Sequence, residues 1–367
     1  MSVPVFTLDR ARERVEAEVK RRWDGVLAST GFVNGAETQE FERRFADYLG
    51  AAGCVGVGNG TDALILSLRA LGVKPGDEVL VPAFSFFASA EAVLLVGARP
   101  VFVDIDPCTF NLDPDELVER VTARTVGIIG VHLYGRPFAV DRVLELCSRR
   151  GIWLLEDAAQ AHGARFRGQR VGSFGQLAGW SFYPSKNLGC FGDGGAVSGS
   201  DAELLESVRL HANHGQTGRY VHSLVGTNSR LDGLQAAVLN ARLARLDEDN
   251  RRRRAIAVRY RRELSDLAWL VLPEEDDDVE PVYHQFTVRT PQRGELQRHL
   301  AAAGVGSSVH YPQALHRVEA LAGLWERPPE LPQAERAARE VLCLPIFPEL
   351  EDAEIDLVVS AVHSFAG

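Results

Sequence analysis

Cysteine is scarce in this sequence, and what there is lies scattered. Cys54, Cys108, Cys147, Cys190 and Cys343 are odd in number and form no CxxC pair. That excludes a cysteine-built metal site and a disulfide framework; it is the pattern of free thiols in a reducing cytoplasm. Long apolar runs are missing as well. The longest covers 92–98, far short of the ~18 residues a membrane span needs. The opening stretch MSVPVFTLDRARERVEAEVKRRW turns charged before a signal-peptide core can form, so a cytoplasmic protein is expected. Net positive charge is absent: 40 Lys and Arg against 50 Asp and Glu leave −10. Nonspecific nucleic-acid binding is therefore not expected. An anionic small substrate remains compatible, since it needs only a local arginine or a few backbone N–H groups. No GxGxxG follows a strand and no Walker A loop occurs, which removes dinucleotides and ATP as natural ligands.

What remains is an ordinary globular composition of 367 residues, 46% hydrophobic and 25% charged, enough for two or three domains' worth of core. The start reads as two helices, 15–26 and 38–49, broken by Gly31 and Gly35. Short β-rich runs follow at 54–57, 78–81, 100–103, 126–131, 152–155, 178–182 and 196–198, with amphipathic stretches between several of them. This alternation predicts an α/β fold: an open, mostly parallel seven-stranded sheet covered on both faces, with ligands at the strands' carboxyl ends. Helical periodicity runs through 232–246, and Arg251 to Arg254 then read as a solvated helix face. Past an acidic, proline-bounded loop, a strand over 283–288, a helix over 294–303, a strand over 306–310 and a helix over 352–365 predict a small α/β domain. The expected division is a large domain, 1–245, and a small C-terminal one, 246–367.

Three stretches carry candidate chemistry. In VGVGNGTDALILSLRAL a strand ends in a glycine turn that opens a helix near Asp62 or Ala63. Gly58, Gly60 and Thr61 with the helix N–H groups make a phosphate cup, or else a plain capped turn. In GIWLLEDAAQAHG the fifth strand delivers Glu156 and Asp157 at its carboxyl end, with Gln160 three residues on. A strand-end carboxylate needs a positive partner, and a protonated pyridine nitrogen is one candidate; an N-cap role for Asp157 is the alternative. His162 reads as structural. In WSFYPSKNLGCFGDGG, Pro184 stops a strand just before Lys186. A lysine on such a loop forms Schiff bases when its amine loses its proton; alone, it equally reads as a surface lysine in a glycine turn. Pyridoxal 5′-phosphate (PLP) needs a phosphate anchor, a pyridinium partner and a Schiff-base lysine. Those three occur here in order along one α/β chain. In VPAFSFFAS, Phe86 is the best ring to stack on the pyridine, with a buried core Phe as the competing reading.

At this point the motifs GNGTDAL, VPAFSF, PVFVDID, HLYG, EDAAQAHGA, SFYPSKNLG, GDGGA and GTNSRLDGLQAAVL resemble those of the DegT/StrS-type, PLP-dependent nucleotide-sugar aminotransferases of fold type I, over most of the chain. The resemblance implies that Lys186 forms the Schiff base with PLP and moves protons, that Asp157 pairs with the pyridinium, and that Gln160 meets the ring hydroxyl. It implies Phe86 on the ring and Gly60, Thr61 and Ser181 at the phosphate. Asn228 would reach the phosphate in a neighbouring subunit, making the working unit a homodimer. Substrates would be L-glutamate and a nucleotide-linked keto sugar, with Tyr183, Arg230, His310 and Tyr311 on the sugar side. Motif detail is most similar to enzymes aminating C3 of a UDP-linked 2-acetamido-3-keto-glucuronic acid; a dTDP-linked keto-deoxysugar is the alternative. For Arg230 an ion pair with Asp232 is the competing role, for the aromatic and His candidates ordinary packing. A PLP-binding regulatory protein without turnover is the rival of another class.

Overall fold

The computed structural model describes residues 2–365. Seven strands form its central sheet: β1 (Gly53–Val57), β2 (Glu78–Pro82), β3 (Arg99–Val103), β4 (Thr125–Val131), β5 (Trp153–Asp157), β6 (Leu177–Ser181) and β7 (Gly195–Gly199). Their spatial order is β1-β7-β6-β5-β4-β2-β3. All neighbours run parallel except β7, which is antiparallel to both β1 and β6. The near-continuous apolar character of β2, VLVP after Glu78, suits a strand buried on both faces. Helices Gly60–Ala70, Ala88–Leu95 and Ala202–Ala212 pack on one face. Helices Ala36–Leu49, Val140–Arg150 and Gly233–Leu243 cover the other. Successive residues of β5 therefore enter different cores, Leu155 the first and Leu154 the second.

Helix Leu246–Leu264 leads into a C-terminal module with its own core, including Ile256, Tyr260, Phe286, Leu296, Leu342 and Ile355. Its antiparallel strand pair is Phe286–Arg289 with Val341–Leu344. The strand expected over 306–310 does not form; Ser308 makes a lone bridge to Cys343. Gly306 gives its N–H to Val3 instead, at 2.8 Å. The strand that does form, VLCL, follows directly on helix Pro332–Glu340, where an unbroken apolar run has no alternation to mark it. Nor are all four arginines of 251–254 solvated. Arg253 is buried and donates to the carbonyls of Ile346 (2.8 Å) and Tyr283 (3.2 Å). The first residues reach this module too: Val3 lies in its core, and Arg10 and Arg14 pair with Glu354 and Glu349.

Candidate active site

The loops after β4, β5 and β6 meet the C-terminal module, the turn after β1 lies against the end of β6, and there the candidate residues gather. After β1 the helix starts at Gly60, earlier than the sequence pattern predicts. Its cap is Asn59, whose side chain accepts from the Asp62 N–H at 2.8 Å, so neither Thr61 nor Asp62 caps the turn. Gly60 is required by contact: a Cβ there would sit 2.6 Å from the Cβ of Ser181 at the end of β6. The N–H groups of the first helical turn have no intrahelical partners, and the hydroxyls of Thr61 and Ser181 stand beside them. Gly58 donates to the Ser229 hydroxyl (2.9 Å), which donates to Asp62 (2.6 Å), tying the GTNSR segment to the cup.

Asp157 is buried at the end of β5, facing helix Ala88–Leu95. Its Oδ2 accepts from Ser89 (2.8 Å) and its Oδ1 from the Ala159 N–H (3.2 Å). Burial raises its carboxyl above the usual range, against the opposing pull of these donors and of the Lys186 charge. Such a group is short of positive charge. Lys186 lies on the loop after β6, its N–H bonded to the Tyr183 carbonyl at 2.8 Å. Burial lowers its ammonium to about 8, with Asp157 resisting the shift. The amine therefore reaches its nucleophilic form close to neutral pH.

Gln160 is fixed at both ends: its carbonyl accepts from the Tyr134 N–H (2.7 Å) and its amide donates to the Tyr311 hydroxyl (3.1 Å). Phe86 is 55% exposed, which overturns the reading of a buried core ring; Phe84, two residues earlier, fills that role. The Phe86 ring centroid lies 5.9 Å from that of Tyr311. His310 is half-buried, held by Ser308 at 3.2 Å and by its own carbonyl, which accepts from the Tyr134 hydroxyl. Burial and the Lys186 charge lower its pKa. Thus Asp157, Lys186, Gln160, Phe86, His310 and Tyr311 come together. Tyr183 is exposed beside them. Arg230 forms no pair with Asp232; it donates to the side-chain oxygen of Asn213 at 3.0 Å. Asn228 stands exposed, paired through its backbone with Asn213. His162 is a packing residue, against Trp180 and Phe182 at 5.2 and 5.7 Å. Ser89 was missed from sequence, although it follows Phe86 in the same run and its hydroxyl is the side-chain donor to Asp157.

These residues fit PLP on structural grounds. A buried acid lacks a cation, a lysine is poised near neutral pH, a glycine makes room that a side chain would fill, and an aromatic ring stands open. Among the described residues no group of three His, Cys, Asp or Glu is placed to hold a metal ion.

The sequence pattern of the DegT/DnrJ/EryC1/StrS aminotransferase family matches residues 13–363. The chain belongs to that family. It is a PLP-dependent sugar aminotransferase of the α/β type these enzymes share. Among its relatives is the dTDP-3-amino-3,4,6-trideoxy-alpha-D-glucose transaminase of Streptomyces venezuelae, 48% identical over 99% of this chain and 96% of the relative. The UDP-2-acetamido-2-deoxy-3-oxo-D-glucuronate aminotransferase of Pseudomonas aeruginosa is 42% identical over 96% of each. Among solved structures, S. venezuelae DesV in complex with a ketimine intermediate superposes with a TM-score of 0.96, at 48% identity, covering 98% of this chain and 97% of that one.

Proposed function

We propose that this aminotransferase carries an amino group from L-glutamate to the keto group of a nucleotide-linked sugar, and that the sugar is a dTDP-linked keto-deoxyhexose. The carrying observation is a buried Asp157 with only two donors, Ser89 and the Ala159 N–H, within the electrostatic reach of Lys186, whose ammonium burial lowers to about 8. PLP bound there supplies an aldehyde carbon and an electron-accepting ring. The chain's own groups do the rest. Asp157 holds a proton at the ring nitrogen, and Gly60, Thr61 and Ser181 bind the phosphate. Lys186 takes and returns the proton at the reacting carbon, and Phe86 with Tyr311 excludes water from one face. Tyr183, Arg230 and His310 serve the sugar side.

The 48% relative, named for a dTDP-linked deoxysugar, supports that choice over the UDP-linked glucuronate named for the 42% relative. We also propose a homodimer with shared sites, in which exposed Phe32, Val33, Phe191 and Val225 are covered and Asn228 serves the neighbouring cofactor.

Absorption spectra of the protein with PLP, before and after L-glutamate, test the reaction. Conversion of the bound aldehyde form to its amine form, reversed by one dTDP-linked 3-keto sugar, is the expected result. Reversal by the UDP-linked hexuronate alone would overturn the sugar assignment. Indifference to amino donors would overturn the glutamate half-reaction.

A further inference from the structure

Behind the lysine loop lies a buried polar chain that the chemistry above does not use. Asn187, next to Lys186, is buried. Its amide donates to the side-chain oxygen of Asn250 (2.9 Å) and to the carbonyl of Val282 (3.1 Å). Both its hydrogens are thereby spent, so its oxygen accepts, and the partner at 3.2 Å is Nδ1 of His284. His284 must carry its proton on Nδ1. Asn250 continues the chain by donating to the carbonyl of His162 at 2.8 Å. His162 lies in the second of two successive turns after Asp157, the first of which holds Gln160. The next residue, Gly163, has φ +89°, and a Cβ there would lie 2.4 Å from the Tyr48 hydroxyl and 2.8 Å from the Asn250 amide nitrogen.

We propose that Asn187, clamped between His284 and Asn250, is a positioning residue that fixes the direction in which Lys186 presents its amine and locks the lysine loop to the Asp157 turn. The proposal rests on reading Lys186 as the site's amine. A buried amide bonded on all sides has little freedom, and it adjoins the one lysine whose placement matters. A merely structural role would leave the lysine's proton affinity unchanged. The groups facing that amine are Asp157 from β5, His162 from the following turn, and His284 and His310 from the C-terminal module. All three rings are held neutral by burial and by the Lys186 charge.

The chain has three lysines, Lys20, Lys74 and Lys186, which makes the test direct. Intact cofactor-free protein is reductively methylated with formaldehyde at a series of pH values, and labelling of each lysine is read by peptide mass spectrometry. Exposed Lys20 and Lys74 serve as internal references. In the unaltered protein Lys186 should reach half-labelling near pH 8. In Asn187→Leu the loop loses its clamp, and the midpoint should rise by about one pH unit or more, toward the ordinary ~10.4. An unmoved midpoint in a folded Asn187→Leu protein overturns the proposal.

Should Asn187→Leu not fold, His284→Gln and His284→Phe replace it. Gln keeps a donor to Asn187 and should hold the midpoint, while Phe removes the donor and should move it. Identical midpoints in the two would overturn the proposal. A shifted midpoint in a protein that never exchanges an amine with glutamate would support the clamp while sinking the assigned reaction. Lys186 titrating together with Lys20 in the unaltered protein would overturn both.

Discussion

Glu156 and Asp157 are chain neighbours, both buried carboxylates at the end of one strand, yet their surroundings differ sharply. Because strand side chains alternate, Glu156 faces the 172–175 turn and Asp157 faces helix Ala88–Leu95. Glu156 accepts from His132 (3.0 Å) and from the N–H groups of Gly172, Phe174 and Gly175 at 2.7 to 2.9 Å. Burial alone would raise its pKa, but His132 and the backbone donors outweigh it and hold the carboxyl below the usual range. Asp157 has two donors, one of them at 3.2 Å, and burial wins. A carboxylate whose lone pairs are filled by its own chain is a structural clamp. One left short of charge is a socket for something that brings it.

That contrast can be broken most violently at Lys186, the charge that partly offsets Asp157. Lys186→Ala should lower steady-state turnover by at least about 10⁴-fold, since nucleophile and proton carrier vanish together; a continuous amino-transfer assay reads this directly. Asp157→Asn should cost about 10²- to 10⁴-fold in kcat, the range expected for losing control of a proton, with the PLP absorption band still formed. The same variant should make the cofactor-free protein more stable at pH 7. A carboxyl whose folded pKa is raised loses stability as pH climbs from the unfolded value of ~3.9 through the folded one. The gain should therefore disappear below about pH 4, which urea titrations at pH 3.5 and 7 would show.

Glu156→Gln is the reverse case. It should lose about 1–3 kcal/mol of stability, because backbone donors are left facing an amide, while activity per folded molecule changes less than about threefold. Its pH dependence has the opposite sign. A depressed carboxyl stabilises above its unfolded pKa of ~4.3, and the benefit drains away as pH falls through the folded value, so the difference between Glu156 and Gln should shrink in acid. The smallest effect belongs to Phe86→Leu. Loss of a ring contact worth about 1 kcal/mol should weaken PLP retention roughly fivefold, measured by dialysis.

Local signals made most of this architecture legible. The seven sheet strands announce themselves through short apolar runs, and the order of cup, acid and lysine already points to PLP. The choice of Asp157 over its neighbour came from the family resemblance, the residues alone leaving an N-cap role open; what sets Glu156 apart, its four donors from residues 132 and 172–175, lies in tertiary structure. The strand at Val341–Leu344 escaped because a continuous apolar run looks the same in a strand and a buried helix. The expected 306–310 strand holds one apolar residue, Val309, and the Gly306 N–H went to Val3. The Asn187–Asn250–His284 chain was invisible for another reason. Its members are far apart in sequence, and a buried asparagine carries no periodic mark.

The tie between Val3 and residues 304–306 has a consequence for how the molecule is made. Val3 is synthesised well before the backbone it must pair with, Gly304 and Gly306 at 2.8 Å each. Until residues 304–306 are made, Val3 lacks these backbone partners, while the sheet core between can already assemble as a unit. The final loop closure is long, but its entropic cost rises only with the logarithm of loop length. The segment around Val3 thus waits longer for its partner than the sheet core does.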